Sequence, residues 1–190
     1  MEKPIKIGLL GAGTVGSGVL QVLHENAQEV ALKAGAPVKV KAVLVRDAKK
    51  TRPHMEDLLV TDKIEDILED EEIQIVVELM GGLKPAREYM LAAMEAGKHV
   101  VTANKDVIAQ FGKEMFETAE KNNVGFLFEA SVGGGIPIIR PIMESLTAGR
   151  RGGDPRPISD GVRRGACRIS DRCGAGDAGA QRALLYGAGR

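Results

Sequence analysis

The segment IKIGLLGAGTVG at residues 5–16 limits what this 190-residue chain can become more than any other stretch. Ile5–Leu10 is a short apolar run closed by a turn, the mark of a buried strand, and GAGTVG follows without a spacer. Val19, Leu20, Val22, Leu23, Ala27, Val30 and Ala31 then recur at helical spacing and predict one helix running to about Lys33. Gly35-Ala36-Pro37 stops it, and Val38–Val45 reads as a second strand that ends at Arg46 and Asp47. A G-x-G-x-x-G pattern alone is a weak signal in a chain with 24 glycines. Set between a strand and a helix in one βαβ unit, it predicts a phosphate-binding turn. Gly11 permits the tight turn, Gly13 lets the backbone approach a pyrophosphate, and Gly16 allows the helix to pack closely on the strand. The N–H groups of the helix start would face the phosphates, where the helix dipole favours negative charge.

The pattern repeats in looser form. Asp62–Leu68 reads as a short helix with Thr61 or Asp62 as its N-cap, and Ile73–Leu79 as a strand running into Met80-Gly81-Gly82. Pro85–Ala96 predicts a helix with proline in its first turn and Gly97 at its end. Lys98–Thr102 reads as a strand, Gly112–Asn122 as a helix and Val124–Glu129 as another strand. Ser131–Ile136 predicts a glycine-rich turn, and Pro137–Leu146 the start of a further helix. Strands alternating with helices predict an α/β fold, a Rossmann-like doubly wound parallel sheet.

Three places carry chemistry beyond the glycine turn. At the end of the second strand an acidic residue would hold a ribose 2′-hydroxyl, whereas an arginine accepts a 2′-phosphate. Arg46 comes first there and Asp47 second, so NADP is favoured and NAD stays open; Lys49, Lys50 and Arg52 follow, and all these charges also suit a solvated loop. TANK at residues 102–105 lies at the carboxyl end of a strand, where open α/β sheets bind ligands, so Thr102 and Lys105 are candidate cofactor contacts. A lysine there can also meet a substrate oxygen and move a proton, although most strand-end lysines are merely solvated. EASVGGGIP at residues 129–137 offers one carboxylate beside exposed carbonyls, a donor set for a hard cation or simply a turn.

Composition matters where the chain changes character. Gly149–Arg190 contains nine Arg, ten Gly and no Lys or Glu, whereas the 148 residues before it hold all thirteen Lys and four Arg. The expected division is a dinucleotide-binding domain at 1–148 and an Arg/Gly-rich low-complexity tail at 149–190, irregular or disordered. Such an exchange is also what a reading-frame change in a GC-rich gene produces. Cys167 and Cys173, both in the tail, fall short of the four ligands a structural zinc site needs. Arg150, Arg151, Arg163 and Arg164 lack an aromatic platform apart from Tyr186, and formal net charge is zero, so no nucleic-acid partner is expected. No apolar run approaches the roughly 20 residues of a membrane span, so no membrane is expected. Met1-Glu2-Lys3-Pro4 leads into the first strand without a secretory signal, which makes a cytoplasmic protein the expectation.

In order along residues 5–148, GLLGAGTVGSGV, AVLVRD, VVELMGG, GKHVVTANK and FEASVGGGIPIIRPIMESL resemble the homoserine dehydrogenases, NAD(P)-dependent enzymes of threonine and methionine biosynthesis. The resemblance implies that Gly11, Ala12, Gly13, Thr14, Val15 and Gly16 bind the dinucleotide phosphates, that Arg46 faces the adenosine ribose, and that Gly81 and Gly82 line the cofactor groove. Lys105 matches one of the family's two lysines implicated in catalysis. Glu129, with the carbonyls of Val132, Gly134 and Ile136, matches a monovalent-cation site such as one for sodium. The implied reaction passes hydride between cofactor and the carbon that interconverts homoserine and aspartate 4-semialdehyde, in a homo-oligomer. The resemblance stops at Ala148, before the segment that in similar proteins supplies dimer contacts, a substrate-binding acidic residue and the second lysine. Impaired catalysis by this chain is the resulting expectation. Another Rossmann oxidoreductase of a small polar substrate, or a cofactor-binding module without catalysis, are the competing readings.

Overall fold

The computed structural model describes residues 3–49 and 53–133. The expected helix after Pro137 and the tail at 149–190 lie outside the described residues. Six strands form one parallel sheet: β1 (Ile5–Leu10), β2 (Val38–Leu44), β3 (Leu59–Thr61), β4 (Ile73–Glu78), β5 (His99–Thr102) and β6 (Phe126–Leu127). Their order is β3-β2-β1-β4-β5-β6, the doubly wound arrangement that was expected. The helices are α1 (Thr14–Glu25), α2 (Ala27–Ala34), α3 (Glu65–Leu68), α4 (Ala86–Glu95), α5 (Lys105–Lys121) and α6 (Glu129–Gly133).

Side-chain alternation along the strands divides the core into two layers. Leu9 and Val43 pack with Leu20 of α1 and Met55 on one face. Leu10, Leu44 and Val76 face the other way, against Ile67, Met90, Met94, Val107 and Met115 of α3, α4 and α5. Burial on both faces explains why the strands read as continuous apolar runs.

Several local expectations are corrected, among them the strand expected at Val124–Glu129, which is only Phe126–Leu127 because α6 begins at Glu129. The single helix expected to Lys33 is two, because Asn26 leaves helical geometry at φ −108° and ψ 24°. Its N–H still reaches the Val22 carbonyl at 2.9 Å and its own carbonyl receives Val30 N–H at 3.0 Å, so the apolar spacing runs through the break. Gly35 ends α2 at φ 76°, as the stop signal required. The three-residue edge strand β3 was not expected, and α3 is capped by Ile64 without a side-chain bond. Thr61 instead closes a turn, its hydroxyl accepting from Lys63 N–H at 3.0 Å and donating to Asp66. Finally, α5 begins at Lys105 rather than Gly112, since the Asn104 side chain accepts Val107 N–H at 3.2 Å and caps it there.

At the amino-terminal edge of the sheet the buried Lys98 ammonium donates to the carbonyls of Asp70 (2.7 Å) and Ile73 (2.9 Å), and burial pushes its pKa down. Lys41 and Lys6 both reach Glu72 at 2.6 Å. An open depression lined by Ile5, Ile73, Gln74, Lys98 and His99 lies at the same edge, away from every residue singled out for chemistry.

Candidate dinucleotide site

The glycine turn leaves β1 at the carboxyl-terminal edge. Gly11 has φ 98°, and a Cβ there would stand 3.1 Å from the Leu79 carbonyl oxygen, so the turn after β1 touches the turn after β4. Leu79 N–H donates to the Leu10 carbonyl at 2.9 Å, fastening the two strand ends. Gly16 is tighter still: its Cβ would sit 2.1 Å from the Gly11 carbonyl oxygen. Gly13 is the opposite case, exposed and with nothing within 4 Å of an added Cβ. Ala12 is buried, whereas Thr14 and Val15 are exposed at the start of α1. Gly13 caps α1 without any side-chain bond, which leaves first-turn N–H groups for an incoming anion. An open backbone approach beside a tightly packed helix start fits a pyrophosphate.

The sheet order reverses between β1 and β4, and the second wall of the crevice is the turn after β4. Gly81 and Gly82 are exposed there with φ of 73° and 74°. The turn is held from below by Glu78, a fully buried carboxylate. One Glu78 oxygen accepts from Met80 N–H (2.7 Å) and Gly81 N–H (3.3 Å), the other from the Thr102 hydroxyl (2.6 Å). Thr102 Oγ1 accepts Asn104 N–H at 2.9 Å, and Asn104 Nδ2 donates to the Gly82 carbonyl at 2.7 Å. Ser131 Oγ joins α6 to the same group by donating to the Thr102 carbonyl at 3.0 Å. Glu78 and Ser131 were not singled out from sequence, and Asn104 was noted without a role. The available signal was a lone acidic residue inside the apolar run IVVELM.

Lys105 is exposed at the first position of α5 and makes no ion pair among the described residues. A cation at a helix N-terminus opposes the helix dipole, a local conflict that folding alone does not call for. Arg46 is exposed just beyond β2, and Asp47 turns inward on its own loop, its carboxylate accepting Lys49 N–H at 3.0 Å. Gly11, Gly13, Gly81, Gly82, Thr102 and Lys105 thus share the carboxyl-terminal edge around the β1/β4 reversal, with Arg46 following the adjacent strand β2. Glu129 is half-buried at the start of α6. The expected turn from Ser131 is helical as far as Gly133, because Glu129 to Gly133 continue as one short helix and Val132 lies within it. Gly134 and Ile136 lie outside the described residues.

A doubly wound sheet with a glycine turn at its reversal point defines a dinucleotide-binding domain of the Rossmann class. The family model for the homoserine dehydrogenase NAD-binding domain matches residues 11–129, and the chain belongs to that family. It is 49% identical over 148 residues to a homoserine dehydrogenase of Synechocystis, covering 77% of this chain and 34% of the relative. Over 149 residues it is 40% identical to that of Bacillus subtilis, covering 78% and 34%. The crystal structure of a homoserine dehydrogenase from Thiobacillus denitrificans superposes with a TM-score of 0.73 at 49% identity, covering 77% of this chain and 34% of that one. The chain therefore spans about a third of the length of the relatives it matches. The sequence expectations of family, oxidoreductase class and NAD(P)-type cofactor agree with these likenesses. No helix among the described residues is long and apolar enough to cross a membrane.

Proposed function

We propose that this chain binds NADP in preference to NAD and forms the cofactor-binding part of an enzyme that interconverts L-homoserine and L-aspartate 4-semialdehyde, a step of threonine, methionine and isoleucine biosynthesis. The carrying observation is the open approach at Gly13 facing, across the strand-order reversal, the paired left-handed glycines and Lys105. Gly11 to Gly16, with the N–H groups at the start of α1, bind the pyrophosphate, and Arg46 takes the 2′-phosphate. Gly81 and Gly82 allow close approach along the groove because neither carries a side chain, and Thr102 fixes the strand end beneath it. Bound NAD(P) supplies the hydride acceptor or donor. As the neutral amine, Lys105 would take the hydroxyl proton of homoserine while the carbinol carbon gives its hydride to the oxidised cofactor and becomes a carbonyl; as the ammonium it would return that proton in the reverse direction. Glu129 with the carbonyls of Val132, Gly134 and Ile136 holds a monovalent cation, and the working enzyme is a cytoplasmic homo-oligomer.

Substrate clamping needs more groups than Lys105, because orienting the amino acid against the nicotinamide is worth several kcal/mol of barrier. With its Arg/Gly-rich tail, the 190-residue chain accordingly binds cofactor well and turns over poorly. Calorimetric titration with NADP, run beside homoserine-dependent reduction of NADP followed by absorbance, tests this. Saturable binding with slow reduction is expected. A folded chain that binds no dinucleotide would overturn the reading, and rapid turnover would overturn its poor-catalysis half.

A further inference from the structure

Among the described residues the buried charged side chains are Glu78 and Lys98, and they lie at opposite edges of the sheet. Lys98 serves two backbone carbonyls far from the crevice. Glu78 lies directly beneath it. Every hydrogen bond shown at Glu78 is accepted, two from N–H groups and one from a hydroxyl, and no ion pair among the described residues includes it. Burying a carboxylate without a cation is costly, and an uncharged acceptor could hold the Met80–Gly81 turn. Here three donors converging on its two oxygens stand in for the missing cation.

Its place in the sheet suggests a use for the charge. Glu78 closes β4, the first strand of the half made by β4, β5 and β6, whereas Arg46 follows β2 in the other half. A dinucleotide laid across the reversal with its adenosine ribose at Arg46 brings its nicotinamide end to the Glu78 half. The nicotinamide ring is cationic when oxidised and neutral when reduced, and a fixed anion in a partly dry groove discriminates between the two. We infer that Glu78 is a specificity-determining residue whose buried charge makes the groove favour the oxidised over the reduced dinucleotide; the inference rests on the proposed function.

The test is calorimetric titration of the 190-residue chain and its Glu78→Gln variant with NADP+ and with NADPH. Glutamine can accept the Met80 and Gly81 N–H bonds at its oxygen and donate to Thr102, so the turn keeps its geometry while the charge is lost. The preference for NADP+ over NADPH should fall about tenfold, the scale of one unit charge acting across such a groove. A merely structural role would weaken both forms alike, and an unchanged ratio overturns the inference. Should Glu78→Gln fail to fold, Glu78→Asp keeps the charge with a shorter side chain; the preference for NADP+ over NADPH should survive there even where overall affinity falls, and loss of the preference overturns the inference. Wild-type protein that binds neither form would instead refute the functional reading on which the inference rests.

Discussion

Alanine at Gly16 and alanine at Gly13 should have opposite signatures, although both break the same motif. At Gly16 the new methyl would stand 2.1 Å from the Gly11 carbonyl oxygen and 3.0 Å from its carbon. A carbon–oxygen contact needs about 3.3 Å, so the start of α1 must retreat from the turn by more than an ångström. Overpacking of that kind costs about 1–3 kcal/mol, and the better helix propensity of alanine offsets at most about 1 kcal/mol of it. A net loss of about 1–2 kcal/mol should lower Tm by about 2–8 °C, and the displaced helix start should also bind dinucleotide poorly. At Gly13 there is nothing within 4 Å of the added methyl, and φ is −75°, which alanine adopts freely. Stability should stay within about 0.5 kcal/mol of wild type. The methyl would nevertheless occupy the pyrophosphate approach, so NADP affinity should fall by about tenfold or more. Urea denaturation paired with NADPH fluorescence titration reads both quantities. Unaltered stability in Gly16→Ala, or unaltered affinity in Gly13→Ala, would refute the division of labour argued for the turn.

Other perturbations separate the remaining parts. Arg46→Ala should weaken NADP by about 1.5–3 kcal/mol and NAD far less, and equal losses in titration would remove Arg46 from cofactor choice. Asn104→Ala removes the α5 cap and the bond to the Gly82 carbonyl, and should cost about 1–3 kcal/mol in urea denaturation. In a full-length relative, or in this chain where it turns over, the Lys105→Ala change should lower kcat/KM on the order of 10²–10⁴-fold in homoserine-dependent NADP reduction, with a smaller loss of NADP affinity. The Lys41 and then the Lys6 ammonium hold the Glu72 carboxyl at about 2 against its ordinary 4.5. Because the folded value is the lower one, this contribution is complete above about 4.5 and is lost as pH falls toward 2. Tm should decline over that interval, and Glu72→Gln should decline less steeply.

Sequence periodicity was strongest where burial is two-sided. The cores of β1, β2, β4 and β5 were legible as apolar runs, and the G-x-G-x-x-G turn sits where its flanking strand and helix required. β3 was not, because a three-residue edge strand is too short to show a period. The break at Asn26 is invisible to periodicity, since residues on both sides keep the same spacing. Gly112 reads as a helix start, yet it lies buried inside α5, and the real start depends on the Asn104 side-chain cap. Among the candidate residues, Gly13, Gly16 and Lys105 stand out from motif and strand position, and all three follow strand ends at the carboxyl-terminal edge. The Glu78–Thr102–Asn104 network was not, because it joins residues 24 to 26 apart through contacts that no local pattern encodes.

Titration of NADPH and NADH into the purified 190-residue chain, followed by nicotinamide fluorescence, tests most directly whether this is a working dinucleotide site. Saturable binding with one dinucleotide per chain, tighter for NADPH than NADH and lost in Gly13→Ala, is the predicted result. A chain that shows a cooperative unfolding transition yet gives no saturable signal with either dinucleotide would contradict it.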